Sequence, residues 1–148
     1  MAPRNQHGPA PLRLLAEDAD DLAVISAALQ DAVTKIGDIR WDASARSLTI
    51  GFNRFRWESD RKAGQRVRSG LQLASVLNVQ GRRLRRDASG AVVSLLSVGF
   101  EPGEAPGGVI SLLFAGDGEL RCEVECIDAA LADVSTAWPT PRTPGHEA

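Results

Sequence analysis

The chain has 148 residues, 43% of them hydrophobic and 24% charged, with a formal net charge of −2. That is enough to bury one core without metal or disulfide staples, and no apolar run approaches the roughly 20 residues that a membrane-spanning helix needs. Between Asn53 and Arg86 ten Lys or Arg stand against two acidic residues, so the overall balance conceals one strongly basic region in an otherwise acidic chain.

Residues 1–11 include no apolar core of a signal peptide and read as a disordered lead-in to a single domain over 12–138. Leu12 to Ala16 reads as a short strand. Asp18 then has the character of an N-cap, with Asp20 and Asp21 in the first turn, where the helix dipole favours negative charge. Leu22, Ile25 and Leu29 follow at helical spacing, which predicts a helix from about Ala19 to Gln30. The D-A-D-D cluster is explained by that helix start and lacks the glycine turn of a calcium loop.

From Ala32 the pattern changes to strands. Val33 to Trp41, kinked at Gly37, and Arg46 to Trp57 form a pair joined by a turn around Asp42 to Ala45. In S-L-T-I-G-F-N-R-F-R-W-E, residues Leu48, Ile50 and Phe52 share one face. Phe55 and Trp57 resume the alternation out of phase, so a bulge is expected at Asn53 and Arg54, which would turn Arg54 and Arg56 to solvent. Arg66 to Leu73, Ser75 to Leu84 and Ala91 to Phe100 are further strands, and E-P-G-E-A-P-G-G is a loop. Val109 to Phe114 and Glu119 to Cys126 make a hairpin across A-G-D-G. Asp128 reads as a second N-cap, with Ile127, Leu131, Val134 and Trp138 along one helical stripe that Pro139 ends. Residues 139–148 read as a disordered tail.

The expected fold is α+β: a curved antiparallel sheet or partly open barrel of about seven strands, covered by an N-terminal and a C-terminal helix. That order of elements is similar to a pleckstrin-homology barrel, an analogy that carries no function by itself.

Few residues suit catalysis. His7 and His146 lie in the tails and there is no tyrosine, so the usual neutral-pH acid or base is missing from the domain. No G-x-S-x-G elbow or phosphate loop occurs. Cys122 and Cys126, about 13 Å apart on one strand, are too distant for a disulfide and read as small buried hydrophobes rather than zinc ligands. Their free thiols and the missing leader favour the cytoplasm. Glu58, Asp60, Glu101 and Glu104 are the carboxylates that could converge in an enzyme. No cofactor or metal is expected.

The arginines are the functional lead. Arg54 and Arg56 on one strand and Arg66 and Arg68 on the next would form a single patch able to grip carboxylate or phosphate through paired hydrogen bonds. Nucleic acid is disfavoured, because the interleaved Phe52, Phe55 and Trp57 face the core instead of offering stacking surfaces. Arg82 to Arg86 offers a weak electrostatic contact to a membrane surface. The residues thus point to a non-catalytic binding or adaptor module for an acidic protein or a small anion. The alternatives are an enzyme or accessory subunit holding a phosphorylated metabolite, and a plain structural domain whose arginine face is only solvated.

The segments L-x-L-L-A-E-D-A-D-D-L-A-V-I-S-A-A-L-Q-D-A-V and F-N-R-F-R-W-E resemble a family of short, uncharacterised bacterial proteins known as a domain of unknown function. The resemblance covers about residues 12–138 and implies no activity, cofactor or site residue.

Overall fold

In the computed structural model residues 11–55, 65–134 and 138–139 are described. Among them the chain forms one helix, α1 (Ala19–Ala28), and ten antiparallel strands of three residues or more. In chain order these are β1 (Arg13–Ala16), β2 (Val33–Lys35), β3 (Ile39–Asp42), β4 (Ser47–Phe55), β5 (Gln65–Leu73), β6 (Val76–Arg82), β7 (Val92–Pro102), β8 (Gly108–Phe114), β9 (Glu119–Val124) and β10 (Ala129–Asp133). A two-residue β11 (Trp138–Pro139) pairs with the start of β5.

The helix begins as the sequence predicts. Asp18 has extended backbone, and its side chain accepts the Asp21 amide at 2.8 Å, which satisfies an otherwise orphaned donor. Leu22, Ile25 and Leu29 are buried, and Ser26 Oγ accepts the Val98 amide at 2.9 Å, tying the helix to β7. The expected kink at Gly37 is a single 3-10 turn, Ile36–Asp38, which separates β2 from β3. The turn before β4 is built by Asp42, whose Oδ1 accepts from Ser44 Oγ and the Ala45 amide.

The strand order is β1-β10-β5-β4-β2-β7-β8-β9-β6, with β3 beside the first half of β4. Short β2 joins the two halves, because Val33 pairs with Asn53 of β4 on one side and Ser94 of β7 on the other. Among the described residues the sheet stays open: β3 pairs only with β4 and β6 only with β9. One continuous core from α1 and both halves includes Ile25, Leu29, Leu48, Ile50, Phe52, Leu71, Leu95, Ile110, Phe114 and Leu131.

Three expectations are corrected. The strand count exceeds seven. The expected C-terminal helix is strand β10, so the pleckstrin-homology-like order loses its closing element. A-A-L-A-D has high helix propensity, but β1 and β5 pair with both edges of this segment, and that pairing outweighs propensity. The stripe drawn through Leu131 and Val134 does not exist, since Leu131 is buried and Val134 is 66% exposed. Lastly, β4 has no bulge. It pairs with β5 without interruption from Leu48↔Leu73 to Phe55↔Arg66, and the register shifts fall elsewhere, at Val76/Asn78 and Leu95/Ser97.

The cysteines divide. Cys122 is buried in β9, and burial pushes its thiol up to about 12, whereas Cys126 lies beyond the end of the strand and is only half-buried.

Candidate functional site

The uninterrupted register of β4 decides where the arginines go. Leu48, Ile50, Phe52 and Arg54 have one parity and all face inward. Arg54 is therefore not on the solvent face that the sequence reading assigned to it. It is fully buried. Directly across from Phe52 stands Ser69 of β5, and across from Ser69 stands Asp133 of β10, so the row ends in two polar groups that Arg54 reaches diagonally.

The resulting cluster is tightly bonded. Arg54 Nε donates to Asp133 Oδ1 at 3.0 Å and Nη2 donates to Oδ2 at 2.9 Å, a two-pronged grip on the carboxylate. Nε also donates to Ser69 Oγ at 3.1 Å, and Ser69 Oγ in turn donates to Asp133 Oδ1 at 2.7 Å. The Leu12 amide adds a bond to Oδ2 at 2.7 Å, which fastens the lead into β1. Burial by itself would raise the Asp133 carboxyl. The hydrogen bonds from Arg54, Ser69 and Leu12, with the Arg54 charge, outweigh burial and hold it below the usual carboxylate range. With side chains 0% and 1% exposed, this pair is out of reach of any partner and serves as a staple through β4, β5, β10 and β1.

Arg66 and Arg68 alternate with Val67 and Ser69 and so lie on the opposite face of the sheet. Arg68 Nη2 donates to Asp38 at 3.1 Å and Nη1 donates to Asn53 Oδ1 at 3.3 Å. Its guanidinium covers Gly51: a Cβ there would collide with Nη2, so glycine leaves the room that the arginine occupies. Arg66 Nη1 donates to the Asn53 carbonyl at 3.3 Å. Partial burial lowers the Arg66 guanidinium from its ordinary value, against the pull of Asp31. Arg56, the fourth residue of the expected patch, lies outside the described residues, as do Glu58 and Asp60.

Arg68 forms one wall of an open cleft of about 330 Å³, completed by Val33, Thr34, Lys35, Asp38, Asn53 and Val92. Thr34 Oγ1 is engaged within the sheet, donating to the Gly51 carbonyl at 2.7 Å. The side chains that sequence reasoning missed here, Lys35, Asp38 and Asn53, come from the β2 corner and from the residue opposite Arg68. Their only sequence signal is the polar break in the apolar pattern at each position.

Other charged groups pair on the surface. Arg121 bridges Glu101 at 3.1 Å and Glu119 at 3.4 Å, holding the Glu101 carboxyl below its ordinary range. Arg82 and Arg83 lie near Glu119 and Asp117. Among the described residues no cluster of three metal-ligating side chains occurs, and no helix is long and apolar enough to cross a membrane.

A family model described as protein of unknown function (DUF2948) matches residues 12–146, and the chain belongs to that family. No curated protein and no solved structure matches it.

Proposed function

We propose that this chain is a non-catalytic binding module that engages an anionic group, on an acidic protein segment or a small anion, at the cleft beside Arg68, with Lys35 and Arg66 as flanking cations. The observation that supports this reading is the placement of Arg68. It is half-buried and oriented by Asp38 and Asn53 over Gly51, which limits the side-chain entropy that binding would cost. Preorganised guanidinium forks suit carboxylate and phosphate alike, so a phosphorylated metabolite held for an enzyme is the second occupant of the same chemistry.

Titration of the full chain with a hexaglutamate peptide and with inorganic phosphate, followed by amide shifts, separates the two. The module reading expects saturable shifts around residues 33–38, 53 and 66–68 on adding the peptide, weakened by salt. The Arg66→Ala/Arg68→Ala double variant should bind about tenfold more weakly with its unfolding midpoint nearly unchanged. Saturation by phosphate alone moves the reading to the metabolite. No saturable shift with either probe removes both.

A further inference from the structure

The gap that keeps the sheet open is not empty surface. Between the outer edge of β3 and the β6–β9 pair lies a slot of about 270 Å³, walled by Ile39, Trp41, Leu48, Val79, Leu84 and Leu120. Leu48 and Leu120 are buried, whereas Ile39, Trp41, Val79 and Leu84 are only half-buried, so four large apolar side chains turn a partly wet surface towards one space. Water in such a space gains few hydrogen bonds, and an apolar ligand displaces it favourably.

One charged side chain completes the lining. Arg86 comes from the segment between β6 and β7, which is tied to the 3-10 turn by the Gly37 amide donating to the Ser89 carbonyl at 2.8 Å and the Ile36 amide donating to the Ala91 carbonyl at 2.9 Å. Its guanidinium lies against Gly81, where a Cβ would stand 3.2 Å from Nη2 and 3.4 Å from Nε. Among the described residues Arg82 and Arg83 are near carboxylates, but Arg86 forms no ion pair. An exposed guanidinium lining an apolar slot complements a ligand with a hydrocarbon body and a single anionic end. The planar fork matches a carboxylate, and a lone cation is a poor match for a doubly charged phosphate.

We propose that the slot between β3 and β6 binds a small amphipathic carboxylate, with its hydrocarbon body against Trp41 and Leu120 and its carboxylate on Arg86. This site is separate from the Arg68 cleft. Ile36 and Gly37 of the 3-10 turn face the slot while Lys35 and Asp38 line the cleft, so either site can be tested without the other.

The probe is sodium octanoate, with octanol as its uncharged counterpart, titrated into the full chain. The Trp41 indole resonance, assigned with Trp41→Phe, is the readout. Octanoate should shift it saturably, and each methylene added from hexanoate upward should tighten binding about fourfold until the slot is filled. Arg86→Gln, an exposed position whose change spares the core, should weaken octanoate about tenfold and leave octanol unaffected. Val79→Phe, which fills the slot, should abolish both. Non-saturating shifts, or an octanoate affinity that ignores Arg86→Gln, would overturn the proposal. If Val79→Phe does not fold, the Arg86→Gln comparison and the chain-length series still decide it.

Discussion

Arg54 of β4 and Arg68 of β5 sit on neighbouring strands of one sheet and each meets an aspartate, yet they occupy opposite faces and different worlds. The Arg54–Asp133 pair is 0% and 1% exposed, bidentate, and further bonded by Ser69 and the Leu12 amide. The Arg68–Asp38 pair is 35% and 28% exposed and holds together two elements, the 3-10 turn and β5, at the rim of a cleft. An arginine's role here follows from the face of the strand it occupies. A buried pair gains little net stability over an apolar replacement but is costly to break, because the surviving charge is left without a partner in a dry site. A half-exposed pair costs little to break, since water replaces the lost partner.

The largest expected effect is therefore at Asp133. Asp133→Ala should destabilise the fold by about 3–5 kcal/mol, read from the urea midpoint, and a loss under about 1 kcal/mol would break the contrast. Acid sharpens it. The folded Asp133 carboxyl lies below its ordinary 3.8, so its contribution is complete above that pH and is lost as pH falls through the lower folded value. Between pH 5 and pH 2 the wild type should lose stability more steeply than Asp133→Asn.

A smaller effect is expected at Ser69. Ser69→Ala removes one donor to the buried carboxylate and should cost about 1–2 kcal/mol while leaving the Arg54 grip in place. A cost matching that of Asp133→Ala would mean that the serine, not the ion pair, holds the strands together.

At the other face, Arg68→Ala should change stability by no more than about 1 kcal/mol. The gentlest probe is Gly51→Ala. Its methyl group would occupy the space of the Arg68 guanidinium without removing any charge, so stability should move by about 0.5 kcal/mol or less while hexaglutamate binding weakens. Unaltered peptide binding in that variant would show that the orientation of Arg68 carries none of the affinity.

Much of this architecture is legible in the sequence. Asp18, Asp20 and Asp21 announce the helix start, Gly37 marks the break between β2 and β3, and the period-2 runs locate nearly every long strand, because capping and alternation are local properties of the chain. The site was less legible. In β4 the parity of Leu48, Ile50, Phe52 and Arg54 is unbroken, but the out-of-phase Phe55 and Trp57, together with the rule that arginine avoids cores, point to a bulge at Asn53 and Arg54; the regular strand instead buries both Arg54 and Phe55. What overrides that rule is a carboxylate 79 residues away in sequence, on a segment whose local propensity is helical. Capping, turns and the alternation of most strands were thus determined by the sequence alone. Which residue would neutralise Arg54, and therefore whether it faces solvent or core, was decided only when β10 took its place beside β5, because the cost of burying a charge depends on its partner and not on its neighbours along the chain.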